Sequence, residues 1–225
     1  MSQAVFNLTE FESVYIKAFP FWNVISKTER AYILDNSTAA TYTKGYHIHD
    51  SDECSGVILV RSGCLRAYMI SEDGKEVTLY RLYPGDMCML SASCVLQSIT
   101  FDVFVDAEED SQCIVISAAV AERQPEVRIF SLETAVNRFS DVMWTMQQIL
   151  FMSMDKRLAI FLSDEISRTG CDLIPMTQEQ IARYIGSARE VVSRMLKYFA
   201  GEGIVEVSRK GVKILDRLKL RAMTV

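Results

Sequence analysis

The sequence predicts an α+β protein in which an N-terminal antiparallel β-roll is followed by a long helix and a C-terminal winged helix-turn-helix domain. Three observations carry this. From Thr41 to about Ser117, short β-branched and aromatic runs are punctuated by glycines at positions 45, 56, 63, 74 and 85, the texture of short, closely spaced strands. After Pro125, apolar residues recur at steps of four and three for about seven turns, a period that only a helix accommodates. From Thr177 to Phe199, two short helical patterns flank Ile185-Gly186-Ser187, which suits two helices joined by a tight corner. The expected division is a β-roll domain over 1–125, a helix and hinge over 126–154, and a winged helix-turn-helix over 155–225.

Taken in order, residues 9–34 read as one or two short helices. Phe11, Val14, Tyr15 and Ala18 share a face before Pro20, and Thr28 is the expected cap of a second pattern. Asp73-Gly74 between RAYMIS and EVTLYRL is a hairpin turn, because Asp-Gly tolerates the positive φ angles such turns need. His47 and His49 stand two apart on a predicted strand, with Glu53 four residues later, so both imidazoles are expected on one face as weak metal-ligand candidates. The chain contains no other histidine, which leaves a divalent-metal site incomplete.

In the long helix, Leu132, Val136, Phe139, Met143, Met146 and Leu150 form a heptad seam. Ala135, Val142 and Ile149 add a second stripe. One helix cannot bury both by itself, so one stripe is expected against the β-roll and the other against the same helix of a second subunit. A break near Ser153-Met154-Asp155 leads into a helix from Lys156 to Thr169, ended by Gly170. Thr177 with Gln180, and Ser187 with Glu190, have the spacing of capping boxes and mark the starts of the two helices of the helix-turn-helix. Beyond Gly201 and Gly203, Ile204 to Val207 and Val212 to Leu215 flank a basic tip containing Arg209 and Lys210, the pattern of a wing. A last helix runs from Asp216 to Ala222.

Early in the second of those helices, Arg189, Glu190, Ser193 and Arg194 fall at i,i+4 spacing on one side. Arginine can grip the O6/N7 edge of guanine with two parallel bonds, and glutamate can accept from the cytosine amino group, so this is a base-reading face. Arg209 and Lys210 suit phosphate, a contact that positions without specifying. The net charge of −5 hides an asymmetry: Cys171 to Val225 carries 10 basic and 6 acidic residues, against 14 and 23 in the rest. Only the C-terminal part can approach a polyanion. The partners these residues imply are double-stranded DNA and a second copy of the chain. No apolar run is long enough to span a bilayer and no leader pattern precedes the first helix, so a cytoplasmic location is expected.

The order of β-roll, long helix and winged helix-turn-helix resembles the Crp/Fnr family of bacterial transcription regulators over essentially the whole chain. The most specific part is Arg189-Glu190-Val191-Val192-Ser193-Arg194, which is similar to the recognition-helix core of that family. The resemblance implies a cyclic-nucleotide-binding-like (cupin-like) sensor roll, base contacts from the Arg-Glu pair and from Arg194, and backbone contacts from Thr177, Gln178 and Glu179. In cyclic-nucleotide binders of the family, a turn like Pro84-Gly85-Asp86 precedes a cassette with Gly-Glu and Arg-Ser or Arg-Thr pairs. Here no Lys or Arg lies between Arg81 and Arg123, which argues against cyclic AMP, since a buried anion without a cationic partner is costly. The first cysteine is Cys54, too late for the N-terminal iron-sulfur ligands of the Fnr branch, so no cofactor is implied. The expected effector pocket comprises Tyr80, Tyr83, Met87, Cys88, Ser91, Cys94 and Phe101, filled by a small apolar or weakly polar molecule. Two alternatives stand beside this: a thiol switch using Cys88 and Cys94, and a cupin-like metal-dependent protein carrying an accessory winged helix.

Overall fold

Alternation of apolar residues builds two antiparallel sheets in the N-terminal half. The computed structural model describes residues 8–49, 56–88 and 102–224. The strands are β1 (Ser37–Tyr42), β2 (His47–His49), β3 (Val57–Ser62), β4 (Leu65–Ile70), β5 (Glu76–Leu82), β6 (Met87–Cys88), β7 (Phe104–Ala107) and β8 (Ser111–Ile116). One sheet has the order β1-β8-β3-β6 and the other β2-β7-β4-β5.

Between the sheets, Ile58, Val60, Cys88 and Cys113 of the first meet Leu65, Ala67, Leu79, Val105 and Ala107 of the second. The alternate residues of the first sheet, Val57, Leu59, Met87, Ile114 and Ile116, face a layer of helices instead. These helices are α1 (Leu8–Ala18), α2 (Lys27–Asp35) and α3 (Ala118–Arg123). They contribute Phe11, Tyr15, Ile33 and Val120, with Trp22 from the α1–α2 connection. Removing each such side chain from water contributes roughly 1.5–3 kcal/mol, so this double-sided burial fixes the register of the sheet. Gly63, at the β3–β4 turn, has a φ of +86°, and a Cβ there would lie 2.3 Å from the Ser111 hydroxyl. Asp73-Gly74 turns the β4–β5 hairpin as expected, with Gly74 at a φ of +77°.

Helix α2 corrects one expectation. Its cap is Ser26, not Thr28: the Ser26 hydroxyl accepts from the Glu29 amide and the Glu29 carboxylate accepts from the Ser26 amide. Thr28 lies inside the first turn, two residues after the serine that satisfies the exposed donors.

The long helix α4 runs from Pro125 to Phe151 and is followed by α5 (Met154–Thr169), with Ser153 at the N-cap position and Gly170 ending it in the left-handed conformation. Then come β9 (Leu173–Ile174), α6 (Gln178–Tyr184), α7 (Arg189–Gly201), β10 (Val205–Ser208), β11 (Gly211–Ile214) and α8 (Arg217–Ala222). The last three strands form a small sheet in the order β10-β11-β9. The chain divides into two compact units, Met1–Ile70 with Leu79–Val142, and Ser71–Thr78 with Met143–Val225. The second unit is centred on Leu158, Leu162, Ile181, Val192, Leu196 and Phe199. No helix among the described residues is long and apolar enough to cross a membrane.

Candidate nucleic-acid interface

The helix-turn-helix is positioned by what its buried stripe demands. Ile181 and Ala182 of α6 and Val192, Leu196 and Phe199 of α7 enter the core of the second unit, which turns the opposite side of α7 to solvent. Thr177 caps α6 as its spacing predicts, its hydroxyl accepting from the Gln180 amide at 3.1 Å while Gln180 Oε1 accepts from the Thr177 amide at 2.8 Å. The second expected capping box is not formed. α7 begins at Arg189 with Ala188 as its N-cap and no side-chain cap bond, so Ser187 sits one residue too early for Glu190 to be its partner. The Ser187 amide instead donates to Ala182 O at 2.9 Å, closing the end of α6.

Arg189, Glu190 and Arg194 are exposed and Ser193 is half-buried on the open side of α7. Among the described residues, the side chains of Arg189, Glu190 and Arg194 make no intramolecular hydrogen bond or ion pair, so their donors and acceptors are available to another molecule. Thr177 and Glu179 are exposed and Gln178 is half-buried at the start of α6. Arg209 and Lys210 are exposed at the β10–β11 tip, where the Lys210 amide donates to the Ser208 hydroxyl. The residues singled out in the sequence thus fall on the open side of α7, the start of α6 and the β10–β11 tip.

The pocket candidates are split. Cys88 lies in the core between the two sheets and Tyr80 packs against that core. Met87 does not belong with them: it opposes Leu59 and faces the helical layer, because adjacent strand residues point to opposite faces. Tyr83 lends its amide to Asp86 Oδ2 at 2.9 Å. Ser91, Cys94 and Phe101 lie outside the described residues, and with Cys94 so does the thiol pair.

One charged group here was not foreseen. Arg138 of α4 donates to Asp86 Oδ1 at 2.9 Å and to Asp141 Oδ2 at 3.0 Å, and its guanidinium lies 5.3 Å from the centre of the Tyr80 ring. Burial works against its charge, but the two carboxylates outweigh burial and its pKa is raised. Its i,i+3 spacing to Asp141 was visible in the sequence; the pairing with Asp86 depends on tertiary structure.

For the metal reading, His47 Nδ1 lies 2.7 Å from Asp106 Oδ1, and the pairing register of β2 with β7 shifts between His47 and His49. Glu53 is outside the described residues. Among the described residues, no group of three His, Cys, Asp or Glu side chains could hold a metal ion.

On α4, the predicted seam is open to solvent: Val136 is 66% exposed, Phe139 64% and Leu150 64%, with Leu132, Met143 and Met146 also exposed. Val142, on the second stripe, packs against the core between the sheets.

Comparison with known proteins places these parts. The family model of the Crp-like helix-turn-helix domain matches residues 156–223, and that of the cyclic nucleotide-binding domain matches 41–124. A transcriptional regulator of the Crp/Fnr family from Eubacterium rectale ATCC 33656, of known structure, is 42% identical with a TM-score of 0.86, the match covering 92% of this chain and 98% of that one. The transcriptional activator protein FnrA of Stutzerimonas stutzeri is 29% identical over 184 residues, 76% of this chain and 74% of the relative. The regulatory protein HlyX of Actinobacillus pleuropneumoniae is 27% identical over 175 residues, 72% and 71% of the two chains.

Proposed function

The chain belongs to the Crp/Fnr family of transcription regulators, and from that premise we propose that it acts as a homodimer whose two α7 helices read the half-sites of a pseudo-palindromic operator. The observation that carries the reading is the exposed, internally unpartnered set of Arg189, Glu190 and Arg194 on a helix whose other side is fixed in a core. Thr177, Gln178, Glu179, Arg209 and Lys210 supply contacts to the phosphate backbone, and RNA polymerase is the downstream partner.

The β-roll is the sensor. Its effector is a small apolar or weakly polar molecule, bound on the inner side of the sheets near Tyr80 and Cys88. Such a molecule acts only to the extent that it prefers one of two arrangements of the dimer. In this reading, residues 1–125 sense, 126–154 pair and hinge, and 155–225 bind DNA.

The test begins with a randomised duplex pool from which the wild-type chain selects its own site. Arg189→Ala or Arg194→Ala should cost on the order of 1–3 kcal/mol on the selected duplex and relax base preference at one position per half-site. Arg209→Ala should weaken all sequences alike. Full discrimination retained by both α7 variants would overturn the assignment of the reading face.

A further inference from the structure

A helix leaves its last carbonyls without partners in the helix, and they must be satisfied elsewhere or face water. At the end of α6 they are collected from three places. Ala182 O accepts from the Ser187 amide, which the left-handed Gly186 (φ +59°) brings round in a Schellman-type turn. Arg183 O accepts from the hydroxyl of Thr78, in the Ser71–Thr78 segment of the same unit, at 3.3 Å. Ile185 O, with Gly186 O at 3.4 Å, accepts from Nη2 of Arg157.

Arg157 is an unexpected residue to find there. It is 7% exposed, and it stands in the first turns of α5, where the positive end of the helix dipole disfavours a cation. What offsets both costs is the cluster of carbonyls at the negative end of α6, on which its guanidinium rests.

We propose that Arg157 is a positioning residue for sequence recognition: by tying the α6–α7 corner to α5, it fixes the direction in which α7 leaves the domain, and with it the register of Arg189 and Arg194 on the bases. Arg157 touches no DNA. It acts on the corner that precedes Arg189 by three residues: Nη2 serves both carbonyls while Nη1 lies 3.5 Å from Met154 Sδ, an orientation of the rigid guanidinium that the flexible ammonium of a lysine keeps in charge but not in geometry. A cavity of about 100 Å³ lies beside it, lined by Gln148, Ile149, Phe161 and Tyr184 among others. That space lets a methionine replace the arginine without overpacking. Apolar contacts of the corner survive the replacement, so what is lost is the angle of α7 rather than the fold.

This inference rests on the DNA-reading assignment, and the experiment separates the two. Full-length wild type, Arg157→Met and Arg157→Lys are titrated against the duplex selected by the wild type and against a shuffled duplex of the same composition, with thermal midpoint and dimer mass recorded for each. The Met variant should lose about tenfold or more in the ratio of selected to shuffled affinity, the scale of one good base contact, while shuffled binding stays within about twofold. The Lys variant should fall between. A purely structural role would instead lower both affinities together with the midpoint, and that result overturns the proposal, as does an unchanged ratio. If the Met variant does not fold, the Lys variant decides alone: reduced discrimination at an unchanged midpoint supports the assignment, and full discrimination sinks it. A wild type that selects no sequence removes the DNA-reading assignment itself, and the role of Arg157 with it.

Discussion

At the scale of single residues, the chemistry that could be read in the sequence is the chemistry that faces outward. Arg189, Glu190 and Arg194 were identifiable because a surface cluster declares itself by residue type and i,i+4 spacing alone. Arg157 and Arg138 were not, since each takes its meaning from carbonyls or carboxylates more than 25 residues away, supplied only by folding. The cysteines show the same division. Cys64 and Cys113 are buried, and desolvation first, with nearby negative groups adding to it, pushes both thiols up to about 12. For Cys113 the neighbour is Cys88, and for Cys64 it is chiefly Glu108. Cys171 is exposed. A thiol raised in the folded state stabilises the fold fully below its unfolded value near 9 and loses that contribution as pH climbs towards 12. The thermal midpoint should therefore fall between pH 9 and 11, and less steeply in Cys113→Ser at equal starting stability. Iodoacetamide at pH 8 should label Cys171 well before Cys64 or Cys113. Rapid labelling of Cys113 in the folded protein would show that its site is open to solvent.

At the scale of elements, existence and type were legible while ends were not. The period of α4, the Asp73-Gly74 turn, the Gly170 stop and the wing all follow from local rules, and each is where those rules put it. The caps are the exception: Ser26 and Ala188 replace Thr28 and Ser187, because a shift of one or two residues leaves the hydrophobic period intact but changes which residue stands at the cap. Met87 fails for a related reason, as a one-residue offset on a strand exchanges faces. The α4 seam yields the firmest element-scale prediction. Six apolar side chains spaced for a coiled coil and left largely in water call for a partner surface, and an identical helix supplies a self-complementary one. Phe139→Glu and Met143→Glu should each shift the sedimenting species from dimer to monomer while leaving far-UV circular dichroism nearly unchanged. A mass that stayed dimeric in both variants would place the interface elsewhere.

At the scale of the whole molecule, the charge pattern and the proposed pairing of α4 together predict how DNA is held. The acidic N-terminal part repels phosphate and the basic C-terminal part attracts it, so the dimer should meet DNA through its two C-terminal domains only. In the proposed reading each domain alone offers few phosphate contacts, Arg209 and Lys210 foremost among them, and should bind weakly with a shallow salt dependence. Joining two through α4, as proposed, would make the second contact intramolecular, and the gain would depend on the second half-site lying where the partner can reach it. Two half-sites about one helical turn, roughly 34 Å, apart satisfy that on one face of the duplex. Inserting about five base pairs between them turns the second half-site to the opposite face, and affinity should then fall to that of a duplex carrying a single half-site, with the slope of log K against log salt falling by about half. Anisotropy titrations of the three duplexes at several salt concentrations measure both quantities. Equal affinity for the single and the paired site would mean that one domain carries recognition unaided, and the pairing of α4 would need a role other than holding two readers at the spacing of the groove.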